Sequence, residues 1–82
     1  MNRTTKEIKI STEYIKLDQL LKFAEIVESG GVAKLFIKES AVKVNQEITT
    51  MRGKKIRVGD LVEVDYSVID SDYDQIMILK VI

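Results

Sequence analysis

The sequence predicts an α+β fold, with two short helices packed on a small, curled, mostly antiparallel sheet. Three observations predict it. Leu17, Leu20, Leu21, Ala24 and Val27 recur at the spacing of one helical face, and Ala33, Phe36 and Ile37 repeat that spacing more briefly. Segments near 6–11, 42–48 and 56–66 alternate apolar and polar residues, and 75–82 is nearly all apolar and β-branched. The resulting order is one strand, two helices, then several strands.

Each element has its own sequence logic. Lys6 to Ser11 places Ile8 and Ile10 on one face, and its lysines suit an edge strand. In the first helix Phe23 and Ile26 widen the apolar face, and Asp18 in the first turn favours the helix dipole. Lys16 stands where a capping side chain is expected. Ser29-Gly30-Gly31 ends this helix and starts the second, so a very short turn is expected between them, and both phenylalanines are expected in the core. Val42, Val44 and Ile48 read as a strand pair around Asn45-Gln46. Ile56 and Val58 alternate, Gly59-Asp60 turns the chain, and Val62, Val64 and Tyr66 alternate again. Gln75 to Ile82 reads as a buried final strand.

The chain has 82 residues, which predicts one domain spanning 1–82. A chain of this size buries only about 60% of the surface it exposes when unfolded. It contains no histidine and no cysteine, which removes disulfides, Cys/His zinc sites and any mechanism needing a cysteine nucleophile or histidine base. Neither a cofactor nor a metal is expected. Asp70-Ser71-Asp72-Tyr73-Asp74 imitates the start of a calcium loop, but Gln75 and Val81 occupy positions that need Gly and Glu. A solvated acidic turn between strands is expected there. Glu63 and Asp65 alternate with Val62 and Val64, which reads as a polar sheet face rather than a catalytic pair. An enzyme is not expected, and no catalytic residue is assigned. No window approaches the roughly 18 apolar residues of a membrane span. Met1 to Lys6 has no apolar run behind it, so a signal peptide is not expected. The expected location is cytoplasmic and the expected state monomeric.

Net charge is zero, yet the charge is segregated along the chain. Residues 34–57 carry Lys34, Lys38, Lys43, Arg52, Lys54, Lys55 and Arg57 against Glu39 and Glu47, a net +5. Residues 58–82 carry six acids against Lys80, a net −5. A phosphate responds to the field within a Debye length, about 8–10 Å at physiological salt, not to the whole-chain sum. Lys34 and Lys38 are four apart and share a helix face. Lys43 lies between two core valines and points outward. Arg52-Gly53-Lys54-Lys55-Ile56-Arg57 is a basic loop running into a strand. If the helices sit beside the hairpin, these cations converge on one surface suited to nucleic acid.

Ile15-Lys16-Leu17-Asp18-Gln19-Leu20-Leu21-Lys22, Ser29-Gly30-Gly31-Val32-Ala33-Lys34, Val42-Lys43-Val44-Asn45 and Gly59-Asp60-Leu61-Val62 follow in this order along the chain. Together they resemble the S-four RNA-binding domain, named after a small-subunit ribosomal protein and also called the alpha-L motif. The resemblance covers about residues 15–65 and is closest to the short, stand-alone YaaA-like bacterial branch. It implies a non-catalytic protein that grips structured RNA, ribosomal or transfer, in ribosome assembly or translation. It further implies RNA contacts from Lys34, Lys38, Lys43, Asn45, Arg52, Lys54 and Lys55; Arg57 is an RNA-binding candidate as the last cation of the basic run. Gly30 stands where the family often has a basic residue; Gly30 and Gly31 offer backbone N–H groups at a helix N-terminus instead. Ser40 and Gln46 replace two usual glycines of the family. The alternative expectation is a protein-interaction adaptor whose acidic C-terminal segment docks a basic partner.

Overall fold

The computed structural model describes residues 2–82. Seven strands, two α-helices and one 3-10 helix follow in order. The strands are β1 (Asn2–Ile8), β2 (Ile15–Lys16), β3 (Val42–Val44), β4 (Glu47–Ile48), β5 (Lys55–Ile56), β6 (Leu61–Asp65) and β7 (Gln75–Val81). The helices are α1 (Leu17–Phe23) and α2 (Gly30–Lys38), and the 3-10 turn is Tyr66–Val68. Two helices against a mostly antiparallel sheet is the fold class the sequence predicts.

The main sheet has the order β1-β7-β6-β3-β4. Its one parallel pair is β1 with β7; the other three are antiparallel. The apolar β7 is held on both sides, which explains its continuous run of apolar residues. β1 is an edge strand as expected, but it runs over Asn2–Ile8 rather than 6–11. Its pairing with β7 extends the strand through the polar Asn2 to Glu7, where no hydrophobic alternation announces it. A second, two-stranded sheet pairs β2 with β5, and nothing in the sequence signals it because each strand is two residues long.

One core joins the layers. Leu17, Leu20 and Leu21 of α1 and Ala33, Phe36 and Ile37 of α2 pack with Val42, Val44, Val62, Val64, Leu79 and Val81 of the sheet. Ala24 and Val27 are buried with them, as the helical spacing predicts. α1 nevertheless stops at Phe23, so the connection to α2 is six residues, not a very short turn. The cause is a Schellman closure. Glu25 takes φ 60°, its N–H donates to the Lys22 carbonyl at 3.0 Å, and the Ile26 N–H donates to Leu21 at 2.9 Å. The same closure ends α2 at Ser40, with φ 64°. Phe23 is 61% exposed, which corrects the expectation that it belongs to the core. Its neighbours on the helix already fill the inward face, and the closure turns the chain away directly after it. Ile48 and Val58 are exposed as well, because β4 and the turn after β5 lie at the periphery.

Candidate functional site

The basic loop is built onto the start of α1. Lys16 at the N-cap gives no side-chain hydrogen bond, as its chemistry requires. The open helix N–H groups find other acceptors. Leu17 donates to the Lys54 carbonyl at 2.9 Å and Asp18 to the Arg52 carbonyl at 3.0 Å. Gln19 donates to the Asp18 carboxylate at 2.8 Å. Three donors that a helix leaves unpaired are thus satisfied, two of them by backbone from the loop. The helix start and the loop fix each other, so the loop cations project from a braced backbone.

β2 and β5 extend this platform. Their register sets Lys16 directly opposite Lys55 and Ile15 opposite Ile56. Like charges facing across a strand pair are destabilising. Tyr14 lies beside them, with Lys55 Nζ 4.8 Å and Arg57 Cζ 5.9 Å from its ring centroid. Both distances lie within cation–π range. Tyr14 and Lys16 are therefore members of this cluster that charge counting over 34–57 does not reach. Lys16 had one available signal, its place immediately before the Leu17-Asp18 start of the helix. Among the described residues, no carboxylate forms an ion pair with Lys16, Lys55 or Arg57.

Asn45 and the 57–61 turn brace the far side. The Asn45 side-chain carbonyl accepts from the Leu61 N–H at 3.0 Å, and its amide donates to Asp60 at 3.1 Å. The second Asp60 oxygen accepts from the Arg57 N–H at 2.8 Å. Asn45, though exposed, thus joins the hairpin tip to the 57–61 turn, where Asp60 in turn holds the Arg57 N–H. Asn45 and Lys54 line one surface cleft, which places the hairpin tip against the loop.

α2 contributes a second cationic face. Ser29 caps it, its Oγ accepting from the Val32 N–H at 3.3 Å. Lys34 and Lys38 are exposed on the side away from Ala33 and Ile37. α1 packs against both α2 and β5, so it is the element common to the two cationic faces. A Cβ at Gly30 would meet nothing within 4 Å, and at Gly31 only Ser29 Oγ at 3.8 Å. The start of α2 is therefore open to an approaching group. Lys43 goes elsewhere. It points to the sheet face away from the helices, pairs across the strands with Glu63, and lines a cleft with Glu63 and Asp65. The structure does not bring Lys43 to the helix and loop cations.

These elements define a small two-layer α+β module that carries Lys34 and Lys38 on α2 and Lys16, Lys55 and the loop cations on a side ribbon. Residues 8–70 match the S4 domain, and the chain belongs to that family. It is also 50% identical over 58 residues to a "Probable ribosome maturation protein RlbA" of Bacillus subtilis (strain 168), over 71% of this chain and 82% of that protein. Among the described residues, no helix is long and apolar enough to cross a membrane.

Proposed function

We propose that the chain is a non-catalytic RNA-binding protein acting on the ribosome or its RNA during ribosome maturation. The observation that carries this is the brace between the basic loop and α1. It presents Arg52, Lys54, Lys55 and Arg57 beside Lys16 with their backbone already ordered, so little entropy is lost on binding a polyanion. Family membership and the printed name of the Bacillus subtilis relative support the same reading. The face consists of the loop and ribbon cations, Lys34 and Lys38 of α2, and the Gly30 and Gly31 N–H groups. Asn45 has a positioning role in this face, because one amide N–H holds Asp60 and its carbonyl holds the Leu61 N–H, although a second N–H stays open to RNA. Lys43 is at most a peripheral contact, given its place beside Glu63.

Recognition is of phosphates and helix shape. The deep, narrow groove of A-form RNA resists side-chain readout, and Tyr14 is the one aromatic in the cluster. Ribosomal RNA is the favoured partner and transfer RNA the second. The test is a charge reversal on the helix face. Lys34→Glu with Lys38→Glu should weaken binding of a folded ribosomal RNA fragment by at least about tenfold, as expected when two phosphate contacts turn repulsive. Circular dichroism should stay unchanged, because both lysines are exposed. Binding equal to that of the parent would show that this helix face is not the site.

A further inference from the structure

A second surface, remote in chemistry from the cationic one, lies where the segment after β6 folds against α2. Phe36 of α2, Tyr66, Ile69, Asp70 and Tyr73 line a groove of about 270 Å³. The rings meet edge to face. Phe36 and Tyr66 are 5.7 Å apart at 84°, and Tyr66 and Tyr73 are 5.2 Å apart at 62°. The Tyr66 hydroxyl is turned inward, donating to the Ile26 carbonyl at 3.4 Å, so the groove meets its ring. Tyr73, 51% exposed, forms the outer wall. A neighbouring cleft of about 360 Å³ shares Tyr73 and is lined by Asn2, Asp72, Asp74 and Gln75. None of the residues lining either cleft is basic.

This combination selects one kind of occupant. Aromatic faces carry negative quadrupole charge and attract ammonium or guanidinium groups. Asp70 on the rim adds a full negative charge; its Oδ1 also accepts from the Asp72 N–H at 3.0 Å, which fixes the turn. An RNA phosphate would be repelled here, and a purely apolar segment would bring no counter-charge to Asp70. A side chain with an aliphatic stem and a cationic head satisfies both parts, its stem on Ile69 and Phe36 and its head over the tyrosines. We propose that this groove docks a Lys- or Arg-bearing segment of a partner protein. Phe36 sits two residues from Lys38 and Lys34, and therefore on the opposite side of α2. RNA on the cationic face and a basic protein segment in the groove would not compete. The inference stands on the groove itself and does not require the RNA reading.

The experiment titrates the isotope-labelled full chain with a peptide of alternating Arg and Leu, following backbone and aromatic NMR signals. Peptides of Glu-Leu and Gln-Leu repeats and a folded RNA serve as comparison arms. Saturable shifts confined to Phe36, Tyr66 and 69–73 are expected with the Arg-Leu peptide alone. Tyr73→Ala should weaken its binding roughly three- to thirtyfold, the range from an exposed to a desolvated cation–π contact. Asp70→Asn keeps the Oδ1 acceptor of the turn and removes the charge, and it should weaken binding several-fold. Equal binding by the Gln-Leu peptide would overturn the proposal. So would shifts scattered over all acidic segments and unchanged in both variants, RNA occupying the groove, or no saturable shift at all.

Discussion

Glu25, Ser40, Asn45 and Gln46 hold φ between 51° and 72°, in the left-handed region where a Cβ costs about 1–2 kcal/mol. Asn45 tolerates it best, and its side chain recovers two hydrogen bonds. Gln46 recovers none. With Asn45 it forms the primed two-residue turn of the β3–β4 hairpin, whose second position prefers glycine. Gln46→Gly should stabilise the fold by up to about 1 kcal/mol after the added unfolded-state freedom is subtracted. That raises Tm by several degrees, about 4–8 °C per kcal/mol in a domain this small. An unchanged or lower Tm in a thermal melt would contradict the strain. Tyr66 makes a different residue-scale statement. Burial first, and the adjacent Tyr73 second, raise its pKa above the ordinary 10.0. The folded state therefore holds the phenolic proton more tightly than the unfolded state. Its contribution is complete below about pH 10 and is lost as pH rises through the folded value. Urea midpoints measured from about pH 9 to about pH 11.5 should fall more steeply for the parent than for Tyr66→Phe. Parallel curves would mean that the phenol titrates freely.

At the scale of elements, the hairpin and the 57–61 turn act as one unit because Asn45 joins them. Asn45→Ala removes both hydrogen bonds and leaves a less tolerant residue at φ 51°, so it should cost about 2 kcal/mol. Chemical denaturation checks that figure. If Asn45 serves only to orient Arg57, RNA affinity measured well below the melting transition should change little. A large affinity loss in a fully folded variant would make it a direct contact. The elements that sequence reading places correctly are those with periodic apolar residues. Ala33, Phe36 and Ile37 mark α2, Ser29-Gly30-Gly31 marks its start, and Val62, Val64 and Gln75 onward mark β6 and β7. What escapes reading is decided by tertiary partners. α1 stops at Phe23 because Glu25 closes it, although glutamate is a good helix former and the apolar spacing continues to Val27. β2 and β5 exist only because Ile15 and Lys16 meet Ile56 and Lys55 from far along the chain. The loop cations are legible as charge, but Tyr14 and Lys16 join them through that pairing alone. The same limit explains Lys43. Alternation shows that it points outward, but not which side of the molecule outward is.

Net charge is zero, but like charges are grouped locally. Lys34 and Lys38 lie on α2 and Lys16, Arg52, Lys54, Lys55 and Arg57 on or beside the β2–β5 ribbon, while Glu63 and Asp65 lie on the open sheet face and Asp70, Asp72 and Asp74 in the segment before β7. Such a distribution orients the chain in the field of a polyanion without making it sticky to every anion. The salt response follows from the number of cations that can reach one RNA surface. With Lys43 set apart, Lys16, Lys34, Lys38, Arg52, Lys54, Lys55 and Arg57 remain. Geometry does not bring every one of them to a phosphate at once, so roughly four to six contacts are expected. Each releases condensed counterion, and log K should fall against log salt by about 0.7 to 0.9 per contact. The total slope is then roughly −3 to −5, a loss of about fifty- to a thousandfold in affinity between about 50 and 200 mM salt. Arg52→Ala, Lys54→Ala or Lys55→Ala should each flatten the slope by nearly one unit and leave sequence preference unchanged. Lys43→Ala should leave it as it is. Titration of a folded ribosomal RNA fragment at several salt concentrations, with heparin as competitor, measures all of these. A slope near zero, or no preference for folded RNA over heparin, would leave the aromatic groove as the molecule's one specific surface.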